Sequence, residues 1–319
     1  MSIGLTIVLI IIGFTLLIKG ADVLVDGSSN IAKRFHIPEI IIGLTIISIG
    51  TSMPELFVSI TSAINGHSDM AVGNIVGSNI SNLFLILGLS AIIRPIQFQK
   101  ETRLIEIPIC LVTTIVFVLL SNIGANICRI EGTILIGLFI LFIIYTIIMA
   151  LKAEKFDKGS VIELSLIERE ESHTLRDICY VILGIVALKF GGDFTVDNAV
   201  KIAQVFNWSE KLIGVTILAV GTSLPELVTS VTAAIKGKSD IAIGNIIGSN
   251  IFNVLLIIGT SAIITPITYS LSYNKDLMIL IFGTIILFLF PMIPPKDEMS
   301  RFNGIVYFLL YVGYLISLI

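Results

Sequence analysis

The chain has 319 residues, of which 55% are hydrophobic and only 13% charged, with a formal net charge of −3 and a mean hydropathy of +1.01. Soluble domains carry about a quarter of their residues as Asp, Glu, Lys and Arg, so a water-soluble globular protein is excluded. The near-neutral balance gives no footing for a nucleic-acid partner, which calls for a basic surface.

Apolar stretches of about bilayer-spanning length follow one another at 3–31, 38–64, 70–92, 104–123, 130–151, 175–205, 211–235, 241–264, 276–293 and 302–319. The first has no basic leader and no small-residue cleavage site, so it reads as a retained span and not a signal peptide. The expected fold is all-α and integral to the membrane, with ten transmembrane helices. The one sizeable polar segment, 152–174, is rich in Lys and Glu and reads as a flexible linker. It divides the chain into 1–151 and 175–319. Cys110, Cys128 and Cys179 lie in or beside apolar runs without CxxC spacing and read as buried, unpaired thiols.

In the first span, Lys19 and Asp22 are three residues apart and Asp26 follows; Lys189, Asp193 and Asp197 echo them later. These read as ion pairs or snorkelling side chains near helix ends. The second span carries Gly50-Thr51-Ser52-Met53-Pro54-Glu55, and Gly221-Thr222-Ser223-Leu224-Pro225-Glu226 repeats it. A carboxylate in hydrocarbon is costly and marks a functional site. Proline removes a backbone donor and opens the preceding turn, leaving carbonyls that survive in a bilayer only where they line a protein-buried or watery cavity. Thr51 and Glu55, four apart, and Ser52 and Glu55, three apart, put two hydroxyls and a carboxylate on one helical face.

The third span adds Asn74, Ser78 and Asn82 at i, i+4, i+8, matched by Asn245, Ser249 and Asn253. Asn79 and Asn250 point off this stripe and read as structural. Gly73 and Gly77, like Gly244 and Gly248, allow close approach of a neighbouring helix.

A shift of 171 places Gly43–Gly88 on Gly214–Gly259 without a gap, with 28 identities in 46 positions. Five helices per unit is an odd number, so the second unit enters the membrane upside down: two inverted five-helix repeats, an architecture of secondary transporters. Fourteen basic loop residues fall on one side and four on the other, which by the positive-inside rule puts the linker in the cytoplasm and both termini outside.

Every candidate ligand is an oxygen, with no His or Cys among them, which excludes soft-metal chemistry and suits hard cations. Two carboxylates balance one Ca²⁺, and the flanking neutral oxygens also suit Na⁺. No serine of the repeat has a histidine beside it, which speaks against hydrolase chemistry.

The paired GTSxPE and GNxxGSNxxN segments resemble those of the sodium/calcium exchanger superfamily, in its prokaryotic calcium/sodium antiporter branch. The resemblance covers the whole chain. It implies a sodium/calcium antiporter working by alternating access in the cell membrane, with Ca²⁺ and Na⁺ as transported ions, the lipid bilayer as surroundings, and neither cofactor nor catalysis. It also implies the metal-contacting residues: Ser48 through its backbone, Thr51, Ser52, Glu55, Ser78 and Asn82 in the first half. In the second they are Ala219 through its backbone, Thr222, Ser223, Glu226, Ser249 and Asn253. Potassium-coupled relatives carry Asp at the last position, where this chain has Asn253, so potassium coupling is not expected. A proton/calcium antiporter of the same superfamily is the alternative; that branch carries a GNxxE-type motif in place of GTSxPE.

Overall fold

The computed structural model describes residues 3–66, 68–124, 126–160, 174–206, 219–292 and 296–318. It is built from α1 (Ile3–Arg34), α2 (Glu39–Thr51), α3 (Met53–Ile64), α4 (Met70–Ile93), α5 (Thr102–Asn122) and α6 (Arg129–Ser160). After the linker come α7 (Thr174–Val205), α8 (Leu224–Ile235), α9 (Ser239–Ile264), α10 (Tyr273–Leu289) and α11 (Arg301–Leu318).

Among the described residues, eight helices are long and apolar enough to cross a membrane, and the pair α2–α3, bent by 49°, makes a ninth, broken span. The tenth expected span, 211–235, begins outside the described residues; its visible part is the turn Ala219–Gly221 followed by the 12-residue α8. The helix of α6 runs past the expected boundary at 151 to Ser160, so the first part of the polar segment is helical. Its Lys-Ala-Glu-Lys run is made of good helix formers, which prolong an existing helix at no nucleation cost.

Both helix breaks have the same geometry. Ser52 sits at φ −85°, ψ 9° before α3, and Ser223 at φ −87°, ψ 8° before α8. This bridge conformation is the one sparsely allowed between helix and turn, and in each case the proline opens the new helix, where its missing N–H costs nothing. Two π-helical turns also recur at equivalent places, Ser81–Ile86 inside α4 and Asn253–Ile258 inside α9. Such turns concentrate at functional sites.

The core forms around α9 and α4, whose most apolar stretches are 94% and 78% buried, against 17% for α6 and α11. The peripheral helices turn Ile11, Phe14, Leu141 and Leu309 outwards, as lipid contact requires. α1 and α7 are knitted backbone to backbone: a Cβ on Gly184 would lie 2.7 Å from Leu24 Cβ and 2.8 Å from the Gly20 carbonyl, and one on Gly20 would lie 3.0 Å from the Gly184 carbonyl. Only small residues allow this approach.

Two short antiparallel ribbons tie the halves together. β1 (Ile96–Gln97) pairs with β4 (Glu298–Met299), and β2 (Asn126–Ile127) pairs with β3 (Ile267–Thr268). Of the cysteines, Cys110 is buried as expected and Cys128 half-buried, but Cys179 is exposed, on the outward side of α7.

Candidate cation site

The break before each proline-headed helix puts a carboxylate in its first turn, Glu55 in α3 and Glu226 in α8. The N-terminal end of a helix dipole favours negative charge there. Both residues are 1% exposed, so water does little to stabilise them.

Each carboxylate is held from the other half of the chain. Ser52 Oγ donates to Glu226 Oε1 at 2.7 Å and lies 2.9 Å from Ser249 Oγ. Ser223 Oγ donates to Glu55 Oε1 at 3.4 Å and lies 3.3 Å from Ser78 Oγ, which itself reaches Glu55 Oε1 at 3.4 Å. The first contact is a good charge-assisted hydrogen bond and the 3.4 Å contacts are weak ones. The second half thus closes on Ser52 more tightly than the first half closes on Ser223.

A second reciprocal set lies further along α4 and α9. Asn82 Nδ2 donates to Asn250 Oδ1 at 3.0 Å, and Asn253 Nδ2 donates to Asn79 Oδ1 at 2.9 Å. The outer amides are pinned differently: Asn74 Nδ2 reaches Ser59 Oγ at 3.1 Å and Asn245 Nδ2 reaches Ser230 Oγ at 2.9 Å. Ser59 and Ser230 were not singled out in the sequence, although both are preserved in the repeat. The symmetry fails at a further point. Thr51 Oγ1 donates to Asn245 Oδ1 at 3.0 Å, while Thr222 Oγ1 has no partner among the described residues, and Asn74 is half-buried where Asn245 is fully buried.

The structure therefore brings together Thr51, Ser52, Glu55, Ser78, Ser223, Glu226 and Ser249, with Asn82 and Asn253 one turn further along. Ser48 lies just before the break; its carbonyl accepts the Ser52 N–H at 3.0 Å and its hydroxyl caps the Leu44 carbonyl at 2.8 Å. Ala219 opens the turn that leads to Thr222. Within this cluster five buried oxygens lack a donor, Glu55 Oε2, Glu226 Oε2, Asn82 Oδ1, Asn253 Oδ1 and Thr222 Oγ1, as do others elsewhere, Glu106 Oε2 and Asp177 Oδ2 among them. An acceptor buried unpaired costs about 1–3 kcal/mol, more when charged.

Asp22 and Asp26 of α1 and Asp193 of α7 are paired away from this cluster. Lys236 Nζ lies 2.5 Å from Asp22 Oδ1 and 2.7 Å from Asp26 Oδ1, joining the end of α8 to α1. Burial lowers the Lys236 pKa, but the two carboxylates outweigh this and hold it above the usual lysine value. Lys189 pairs with Asp193 at 2.7 Å within α7. The ion-pair expectation stands for Asp22, Asp26 and Asp193, with Lys236 in place of Lys19 as the partner of Asp22.

A proline-headed apolar helix in each half, the two meeting at a buried cluster of carboxylates, hydroxyls and amides, defines an ion-carrying membrane protein. The profile of the family described as sodium/calcium exchanger protein matches residues 5–148 and 177–319. The chain belongs to the sodium/calcium exchanger family and is a multi-pass membrane antiporter, not an enzyme. It is 36% identical over 310 residues to the putative antiporter CaxA of Alkalimonas amylolytica, with 96% of each chain covered. It is 32% identical over 344 residues to the sodium/calcium exchanger MaX1 of Methanosarcina acetivorans, with 97% of each covered. The solved structure of the sodium-calcium exchanger NCX_Mj, soaked with Na⁺ and Sr²⁺, matches with a TM-score of 0.85 at 30% identity over 100% of both chains.

Proposed function

We propose that this protein exchanges Na⁺ for Ca²⁺ by alternating access, with Glu55 and Glu226 forming the central cation site. The observation that carries this reading is the set of cluster oxygens buried without donors, two of them carboxylate, with Glu55 and Asn82 from the first half and Glu226, Asn253 and Thr222 from the second. A hard cation satisfies them all at once: calcium takes 6–8 oxygens, and two carboxylates match its charge. Ser52, Ser78, Ser223, Ser249, Thr51 and Thr222 supply neutral oxygens around the pair, with the Ser48 and Ala219 backbones at its edge. Na⁺ competes for the same oxygens, so loading with one ion expels the other. That relatives with nearly full coverage include a named sodium/calcium exchanger supports the ion pair chosen.

The same reading takes 1–151 and 175–319 as two inverted repeats, with the intervening segment in the cytoplasm and both termini outside. Inversion gives the two halves equal roles at the two membrane faces, and the 171-residue recurrence of the contacts supports it.

The test is ⁴⁵Ca²⁺ uptake into proteoliposomes loaded with Na⁺, with Na⁺, K⁺ and H⁺ gradients imposed one at a time. Uptake driven by outward Na⁺ alone is expected. Uptake driven by a proton gradient and indifferent to Na⁺ would replace this reading with proton/calcium exchange.

A further inference from the structure

We infer that Asn79 and Asn250 are positioning residues, which fix the end of the Asn82 and Asn253 amides left free for a cation; this rests on the cation-site reading above. The argument starts from acceptors that cannot donate. Asn79 Nδ2 lies 3.3 Å from the Asn250 backbone carbonyl, and Asn250 Nδ2 lies 3.3 Å from the Asn79 carbonyl. A carbonyl only accepts, so these two contacts decide which end of each side-chain amide is nitrogen.

The opposite ends are then oxygens, and each needs a donor. Asn79 Oδ1 takes Asn253 Nδ2 at 2.9 Å, and Asn250 Oδ1 takes Asn82 Nδ2 at 3.0 Å. With their nitrogens held there, Asn82 and Asn253 are each left with a buried Oδ1 and no donor. A flip of either amide would set oxygen against oxygen at the clamp and leave an NH₂ group where the free acceptor had been. Such a donor repels a cation.

The clamp sits at the entrance to the two π-helical turns, Ser81–Ile86 and Asn253–Ile258, a distortion frequent at functional sites. It also crosses between the halves. Asn79 orients an amide of the second half and Asn250 one of the first, so neither half orients its own. All four asparagines are at most 3% exposed, which removes water as a substitute partner.

A double-mutant cycle separates orientation from plain structural support. Equilibrium ⁴⁵Ca²⁺ binding is measured on purified wild type, Asn79→Ala, Asn253→Ala and the double variant, together with sodium-driven uptake in proteoliposomes. Asn79→Ala is expected to weaken calcium binding roughly tenfold in the wild-type background, the worth of one good hydrogen bond. In the Asn253→Ala background it should add less than about twofold, because no amide remains to be oriented. An equal loss in both backgrounds, or no loss in the first, overturns the inference. If Asn79→Ala fails to fold, the mirror cycle of Asn250→Ala with Asn82→Ala decides on the same criteria. Wild type that binds Ca²⁺ without exchanging it for Na⁺ overturns the proposed function alone, and the clamp is then judged on the binding constants. Wild type that binds no Ca²⁺ overturns both.

Discussion

Glu226→Gln keeps the size and shape of the side chain and removes one of the two buried charges that would face calcium. Ser52 Oγ, 2.7 Å from Glu226 Oε1, can still donate to the amide oxygen, so the fold has little reason to change. The electrostatics do change: a site that balances Ca²⁺ with two carboxylates is left with one uncompensated positive charge. Leaving a buried charge without its partner costs about 3–5 kcal/mol, which at about 1.4 kcal/mol per tenfold weakens calcium roughly a hundred- to several-thousand-fold. The half-saturating Ca²⁺ concentration for sodium-driven uptake in proteoliposomes reads this directly. Glu106→Gln is the control. Glu106 is also buried, 2% exposed, with one carboxylate oxygen accepting from Tyr145 Oη at 3.1 Å and the other unpaired, but it has no contact with the cluster residues, and its substitution should leave half-saturation within about twofold. The reasoning fails if Glu226→Gln stays within tenfold of wild type, or if Glu106→Gln falls as far.

Calcium flux should persist in K⁺-free medium, and Asn253→Asp, which adds a third charge beside the pair, should alter ion coupling; loss of wild-type flux on removing K⁺ alone would refute this. In a cysteine-free background, Ser2→Cys should react with an impermeant thiol reagent in intact cells and Ser165→Cys should not; the reverse pattern would invert the orientation. Gly184→Ala should lower stability by about 1–3 kcal/mol, because its Cβ would lie 2.7 Å from Leu24 Cβ and 2.8 Å from the Gly20 carbonyl. Gly137→Ala, with nothing within 4 Å, should raise it slightly. Melting of the detergent-solubilised protein checks the pair, and equal shifts would refute the close packing of α1 on α7.

The meeting of the two glutamates with their hydroxyl neighbours was legible in the sequence because a carboxylate in an apolar span is anomalous, and a duplicated anomaly at constant offset marks a candidate site. The membrane class followed from composition for the same energetic reason. What sequence periodicity missed depends on rotation and on distance along the chain. Asn79 and Asn250 lie off the i, i+4, i+8 stripe, and their structural role was legible. Their partners were not, since Asn79 bonds residues 171 and 174 positions away. The π-helical turns change the helical register just where the stripe ends, and nothing in composition announces them. Asp22 has Lys19 three residues away, yet it meets Lys236 instead, because α1 faces the end of α8 there and tertiary proximity outweighs local spacing.

The ribbons set a clock on assembly. Gln97 in β1 meets Glu298 in β4, 201 residues later. At about 5–20 residues per second, the ribosome needs roughly 10–40 s to make that partner after the first strand emerges. Asn250 follows Asn79 by 171 residues, so for roughly 9–34 s at that rate α4 rests in the bilayer with Asn79 and Asn82 lacking the amides that later complete them. Polar groups stranded in lipid recruit whatever donor is at hand, so the newly inserted first half is the stage at which this protein is most open to mispairing, and to the proteases and chaperones that watch for it.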